Sequence, residues 1–195
     1  QIAMRDLEIR GAGNLLGREQ SGHIAAVGYE LYCQLLEHSV AGLQGRVIPT
    51  RREVHVELGL EAFIPKAYVA SDRQRMELYR RLAKLTLPEE LEQLRADLAD
   101  AYGRAPVAVD TLLSLTEVRL RAGLAGIDSI IRKEPDLVFQ INDFKRAEKV
   151  FAGPVGTVRL PDAQTAHWRL PKACFEPGTL LNVLLKRLRQ VGAMD

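Results

Sequence analysis

Apolar residues recur with helical spacing over several stretches of this chain. The first stretch begins near His23, where apolar positions three to four residues apart predict a helix with one buried face, ending at Gly42 and Gly45. These positions are Ile24, Val27, Leu31, Leu35, Leu36, Val40 and Leu43. Just before it, residues 6–22 carry four glycines among charged residues. We therefore predict a helical hairpin with a glycine-rich connection.

A change of composition marks a boundary after this hairpin. Residues 46–52 read RVIPTRR and have no helical period, whereas residues 54–58 (VHVEL) alternate as a half-buried strand does. Three helices are predicted next, because three start signals follow one another. The signals are Ser71 with Gln74, Thr86 with Glu89 around Pro88, and Pro106.

The last third of the chain has strand-like patterns. Four strands are predicted, at 128–133, 136–141, 156–161 and 167–171. Helices are predicted at 143–151 and 176–191. This order favours the α+β class: an N-terminal helical hairpin and linker at 1–52, then at 53–195 a compact domain of helices packed with a small β-sheet.

Composition narrows the possible functions. The 27 basic and 25 acidic residues of this 195-residue chain nearly cancel, so any nucleic-acid contact must be local. No apolar run approaches the roughly 20 residues of a membrane span. Cys33 and Cys174 lie far apart and are expected to be reduced, half-buried thiols. We expect a cytoplasmic protein without a membrane partner.

Patterns of common catalytic sites are missing from the sequence. There is no G-x-x-x-x-G-K-[ST] phosphate loop, and GAGNLLG (11–17) departs from the dinucleotide fingerprint because Leu16 stands where its third glycine belongs. The histidines have no metal-ligand spacing; they are His23, His38, His55 and His167. We expect no catalytic residue, metal or cofactor in this chain.

The glycine-rich stretch needs an explanation of its own. Its simplest interpretation is a turn between helices with ion pairs on the surface, but a turn rarely needs four glycines within residues 11–22. Arginines beside flexible backbone suit a part that switches between two arrangements.

RDLEIRGAGNLLGREQSG closely resembles the TRG motif shared by two families of bacterial DNA translocases, RecG and transcription-repair coupling factor (Mfd). The positions in register are Arg10, Gly11, Gly13, Leu16, Gly17, Gln20 and Gly22. Ala12 replaces the usual proline of RecG, and FIPKAYVASDRQRMELYRRLA (63–83) is similar to the coupling factors. The chain thus resembles the C-terminal part of a coupling factor, and we expect it to be a piece of a longer protein.

The resemblance implies a mechanical role for the N-terminal segment. In that family the TRG segment couples ATP hydrolysis by upstream motor lobes, of helicase superfamily 2, to movement on double-stranded DNA. Arg10 and Gln20 would contact the motor. The glycines would give the loop its freedom; they are Gly11, Gly13, Gly17 and Gly22. ATP and Mg would bind the parent protein, so this chain alone would hydrolyse nothing.

The resemblance also implies an autoinhibitory role for the domain at 53–195. In the family this domain docks on the UvrB-like module of the same protein and masks its UvrA-binding surface until the protein engages stalled RNA polymerase. Exposed charges on the helices at 72–102 are the candidates for the docking face. The family is bacterial and cytoplasmic.

Alternatives from other classes stay open. One is a stand-alone protein-interaction module in which the glycine loop is only a turn; another is part of a RecG-type branched-DNA translocase. A third is a small nucleic-acid-binding domain that uses the arginines near 46–52 and 186–189. Cations near a helix C-terminus explain the basic run at 186–190 more simply, and Trp168 is expected in the core or at its rim rather than as a stacking platform.

Overall fold

A five-stranded sheet and five helices form the part of the chain that the computed structural model describes, residues 54–153 and 155–191. The elements in chain order are β1 (His55–Glu57), α1 (Asp72–Lys84), α2 (Pro88–Tyr102), α3 (Val107–Leu124), β2 (Ile127–Lys133), β3 (Asp136–Ile141), α4 (Phe144–Phe151), β4 (Thr157–Asp162), β5 (Thr165–Arg169), a 3-10 turn (Lys172–Phe175) and α5 (Pro177–Leu188). The α+β class is confirmed. The predicted hairpin and the boundary near residue 52 lie outside the described residues.

The sheet is mixed and has the strand order β1-β2-β3-β5-β4. β1 runs parallel to β2, and the other neighbours are antiparallel. Because side chains alternate along a strand, the sheet has one apolar and one polar face. The apolar face includes Phe139 and Trp168, both fully buried, and is covered by helices; the polar face includes Asp136 and Arg169. The prediction that Trp168 belongs to the core is confirmed.

Helix α3 is the centre of the domain. It contacts β1 and β2 on one side and α2 and α5 on the others. Its apolar residues are buried almost all round, which is typical of a helix enclosed by other elements. One charged residue, Glu117, is buried with them and is only 1% exposed.

The helix starts show how local capping fixed the boundaries. The Oγ of Ser71 accepts a hydrogen bond from the backbone N–H of Gln74 at 3.4 Å, so the predicted N-cap of α1 is confirmed. The predicted pairing of Thr86 with Glu89 is wrong. Because Pro88 is the first residue of α2, Glu90 stands in the third position, and its carboxylate accepts the backbone N–H of Thr86 at 2.7 Å.

Near the C-terminus two elements begin or end earlier than predicted. β5 begins at Thr165 rather than residue 167, because Asp162 accepts the N–H of Gln164 at 2.7 Å and closes a tight turn. Pro171 has no N–H to donate and lies beyond the strand's end. The terminal helix begins at Pro177, one residue after the predicted start, and ends at Leu188 rather than residue 191.

Gly126 joins α3 to β2 in a backbone conformation that favours glycine. Its φ is +72°, and a Cβ there would lie 2.8 Å from the carbonyl oxygen of Asp143. The carbonyl of Gly126 accepts the N–H groups of Asn142 at 2.9 Å and of Asp143 at 3.1 Å. This close approach holds the end of α3, the start of β2 and the start of α4 together at one corner.

Candidate functional site

The residues predicted to couple this chain to a motor lie outside the described residues. They are Arg10, Gly11, Gly13, Gly17, Gln20 and Gly22. Their role stays a prediction. The second predicted surface, the charged sides of the helices at 72–102, is described and consists of α1 and α2.

The segment at 63–83 carries part of the family resemblance. It consists of an extended arm (residues 63–71) and most of α1, and hydrogen bonds clamp the arm to the helix. The hydroxyl of Tyr79 accepts the backbone N–H of Ile64 at 2.8 Å, in a buried position. Arg75 reaches back from α1 and donates from Nη1 to the carbonyl of Val69 at 2.7 Å. These residues therefore fix the arm to the helix, which is a structural role.

Tyr68 extends the same clamp to the end of α2. Its hydroxyl donates to the carbonyl of Gly103 at 3.1 Å, and its ring lies 5.6 Å from that of Tyr102, centroid to centroid. Burial, with smaller contributions from the negative charge of Asp110 and from Tyr102, raises the pKa of Tyr68, so its hydroxyl stays a donor at neutral pH.

The two outer helices carry opposite charge. α1 has five basic and two acidic residues, whereas α2 has five acidic residues and one arginine. Arg81 and Asp97 join the helices with a 2.8 Å ion pair. Hydrogen bonds, first from Arg81 and then from Gln93 at 3.0 Å, lower the pKa of Asp97. The helical layer therefore presents a basic and an acidic half.

The side of α2 that faces away from the core forms an acidic stripe. Leucines at positions 91, 94 and 98 face inward, which leaves the positions between them exposed. The acidic stripe consists of Glu89, Glu92 and Asp100, with Gln93 and Ala96 between them. Because Ala96 and Ala99 are short, the carboxylates stand above a flat helix surface. Such a stripe is complementary to a basic surface on a partner.

Beneath the helical layer, Glu117 forms ion pairs with three arginines from different parts of the fold. Arg121 donates from Nε at 2.7 Å, and Arg189, just after α5, donates from Nε and Nη2 at 2.8 Å each. Arg95 of α2 lies 3.8 Å away. We call these four residues the Glu117 cluster.

The arginines of the Glu117 cluster decide the charge of its carboxylate. Burial is the largest single influence and alone would raise the pKa of Glu117; hydrogen bonds from Arg189 and Arg121, with their positive charges, outweigh it, so the pKa is lowered. A buried, ionised carboxylate bound by arginines holds α2, α3 and the end of α5 together. Sequence analysis missed it, although an acid in the middle of an apolar helix, with Arg121 four residues later, is a visible signal.

A second carboxylate with arginine partners lies on the polar face of the sheet. Asp136 accepts from Nε of Arg169 at 2.8 Å and from Nη2 of Arg159 at 3.3 Å. The hydrogen bond from Arg169 is the main reason that the pKa of Asp136 is lowered; burial opposes it. Asp136 thus ties together β3, β5 and β4.

The described residues offer neither metal chemistry nor a bilayer span. Residues 54–153 and 155–191 contain no cluster of three or more His, Cys, Asp or Glu side chains that could hold a metal ion. Within the same ranges, no helix is both long enough and apolar enough to cross a membrane. Cys174 is a free, half-buried thiol, as predicted; Cys33 lies outside these ranges.

The basic run at 186–190 is partly engaged within the domain. Arg189 belongs to the Glu117 cluster, and Arg187 donates from Nη1 to Oε1 of Gln190 at 3.0 Å. These contacts agree with the simpler interpretation of cations at a helix end.

Comparison with known proteins gives three consistent findings. Residues 58–150 match the family model described as the TRCF domain. The chain is similar to the transcription-repair-coupling factor of Myxococcus xanthus (48% identity over 119 residues, 61% of this chain and 10% of the relative). It is also similar to that of Staphylococcus epidermidis (40% over 132 residues, 67% and 11%). The chain thus matches about a tenth of the length of these curated relatives.

A solved structure shows the same fold. The crystal structure of a C-terminal domain of transcription-repair coupling factor matches with a TM-score of 0.57 at 16% identity, covering 73% of this chain and 96% of that one.

Proposed function

We propose that this chain regulates an ATP-driven translocase of double-stranded DNA. The premise of this proposal is that the chain carries a TRCF domain and is homologous to the C-terminal region of transcription-repair coupling factors. The parent protein would displace stalled RNA polymerase in the bacterial cytoplasm and recruit UvrA, which couples transcription to excision repair. ATP and Mg belong to its motor lobes. The name of the relatives, transcription-repair-coupling factor, supports the assignment to transcription-coupled repair.

The domain at 53–195 acts in this proposal as a reversible mask. The acidic stripe of α2 docks on a basic surface of the UvrB-like module in the same protein and covers the surface that UvrA needs. One observation carries this assignment: the stripe is an exposed row of like charges in which, among the described residues, only Glu92 forms an ion pair within the fold, with Arg95 at 3.4 Å. Interfaces between domains of one chain are commonly polar and reversible, which suits such a surface.

The test of the mask measures UvrA binding to the complete parent protein without RNA polymerase. Charge reversal of the stripe, Glu89→Lys with Glu92→Lys and Asp100→Lys, should release the mask and strengthen UvrA binding about tenfold or more. The control reverses three exposed acids outside α2, namely Glu61→Lys, Glu148→Lys and Glu176→Lys. Unchanged UvrA binding by the stripe variant would reject the mask.

The N-terminal segment acts in the same proposal as the coupling part of the motor. Its motif resemblance supports the assignment of Arg10 and Gln20 as motor contacts, since a charged fork and an amide can make different contacts in two states. In the complete protein, Arg10→Ala should abolish translocation while nucleotide still binds. Translocation at the normal rate by this variant would remove the assignment.

A further inference from the structure

A groove of about 570 Å³ lies where four elements meet. It is bounded by the C-terminal end of α1, the second half of α3, the start of β2 and the start of α4, at the corner that Gly126 holds. Its volume falls in the range of ligand-binding clefts, roughly 300–1,000 Å³. Among the described residues that line it, none belongs to α2, so the groove is separate from the acidic stripe.

The groove combines an apolar floor with a basic rim. The apolar lining includes Leu85, Leu120, Leu124 and Ile127, of which Leu124 is 42% exposed. Three cations also line the groove: Lys84, Arg119 and Arg146. The single acid among its lining residues, Asp128, accepts a hydrogen bond from the side chain of Asn142. The net charge of the lining is therefore positive.

The guanidinium group of Arg119, which lines the groove, has one N–H without a hydrogen-bond acceptor among the described residues. Its Nη2 donates to the carbonyls of Leu82 at 3.0 Å and Leu85 at 3.4 Å, at the C-terminal end of α1. Its Nε is buried and has no hydrogen-bond partner within the described part of the chain. A buried donor without an acceptor destabilises the folded state. An acceptor that enters the groove and draws the guanidinium toward it recovers this cost.

We propose that the groove binds a peptide segment of a partner protein that carries carboxylates beside apolar side chains. The carboxylate of the peptide forms an ion pair with the guanidinium group of Arg119. Arg146 and Lys84 attract the carboxylate from the rim of the groove. The apolar side chains of the peptide cover the leucines of the groove floor. A nucleic acid fits less well, because the described lining contains no aromatic ring on which bases would stack. This partner has the opposite charge to the one proposed for the acidic stripe, so the inference does not depend on the masking role.

The experiment uses the 195-residue chain and the peptide Leu-Asp-Leu-Leu-Glu-Leu-amide, labelled with fluorescein on its N-terminal amine. Two analogues replace its acids by Asn and Gln or by lysines. Fluorescence anisotropy should show the acidic peptide binding about tenfold or more tightly than the amide analogue, with the difference shrinking as salt is added. Arg146→Ala and Arg119→Lys should each weaken the acidic peptide severalfold. Arg187→Ala, outside the groove, should leave binding unchanged.

The controls separate binding from folding and from other occupants. Arg119→Lys keeps the positive charge but removes Nε, and thermal unfolding shows whether it stays folded; Arg146 is exposed, so its variant tests the groove even if Arg119→Lys unfolds. Equal binding of the amide analogue overturns the proposal. So does an absence of peptide binding, which is the result if residues 1–53 or a second copy fill the groove. Self-association that Arg146→Ala abolishes would assign the groove to a second copy instead.

Discussion

Glu117 and the acidic stripe of α2 place negative charge in opposite surroundings within one helical layer. Glu117 is 1% exposed and is bound by three arginines, whereas Glu89, Glu92 and Asp100 are exposed to solvent. Arg95 lies between the two sites, 3.4 Å from Glu92 and 3.8 Å from Glu117. The comparison teaches that the chain uses one set of charges to hold its fold and keeps another set at the surface, exposed to solvent.

The physical reason for this division is solvation. A charge that leaves water must be compensated by close partners, so each member of the Glu117 cluster depends on the others. Exposed ion pairs contribute about 0–1 kcal/mol, because water and salt screen them. Charge changes on the stripe should therefore alter binding, and changes at Glu117 should alter stability.

The largest effect is expected for Glu117→Ala. It leaves Arg121 and Arg189 beside a cavity without their carboxylate, which costs about 3–5 kcal/mol when a buried pair is broken. Chemical denaturation followed by circular dichroism measures the loss. Glu92→Ala is the matched control on the exposed side of the same layer. A Glu117→Ala chain as stable as the unaltered one would refute the structural role of the cluster.

A pH titration of stability should sharpen the same contrast. Because the folded state lowers the pKa of Glu117 below its ordinary value of 4.5, the stability that this group contributes is present above pH 4.5. It is lost as the pH falls through the folded pKa. The difference in unfolding free energy between the unaltered chain and Glu117→Gln should thus be constant near neutrality and shrink below pH 4.5. A difference that grows in acid has the wrong sign for this account.

An intermediate effect is expected for Asp136→Asn on the polar face of the sheet. Its partners Arg159 and Arg169 are 60% and 53% exposed in their side chains, whereas Glu117 has, besides Arg189 at 55%, the more shielded Arg121 and Arg95 at 21% and 27%, so the pairs of Asp136 are screened more strongly. We expect a loss of at most about 1 kcal/mol. Denaturation of this variant beside Glu117→Gln compares two carboxylates that both have lowered pKa values. A loss as large as that of Glu117→Gln would show that exposure does not decide the energy.

The smallest effect on stability per substituted residue is expected for the stripe itself. The triple reversal at Glu89, Glu92 and Asp100 should change the unfolding free energy by only about 0.5 kcal/mol per site, as surface substitutions usually do. Lys at residue 89, in the first turn of α2, is the least favourable of the three because it opposes the helix dipole. Thermal unfolding checks this; an unfolded triple variant would mean that the stripe belongs to the fold.

Local signals predicted much of the fold. The N-cap at Ser71 and the burial of Trp168 were both visible in short stretches of sequence. The α+β class and the family resemblance are confirmed, the latter by the TRCF domain match at 58–150.

The parts that depend on distant contacts were not predictable. Glu117 meets Arg189 across 72 positions of sequence, and the groove forms only where four elements converge on Gly126. Glu89 was predicted as the capping residue in place of Glu90 because Pro88 was taken as the second residue of the helix, whereas it is the first. The charged positions of these helices were only candidates for a docking face; which exposed charges form one row became clear only from the burial of α2.

The most direct test of the account measures binding between this chain and the UvrB-like module of its parent protein. Calorimetric titration compares the unaltered chain, the stripe reversal, and the control reversal at Glu61, Glu148 and Glu176. The account predicts that the stripe reversal weakens binding about tenfold or more while the chain stays folded at the temperature of the titration, and that the control binds normally. Normal binding by the stripe variant, or an equal loss in the control, would contradict it.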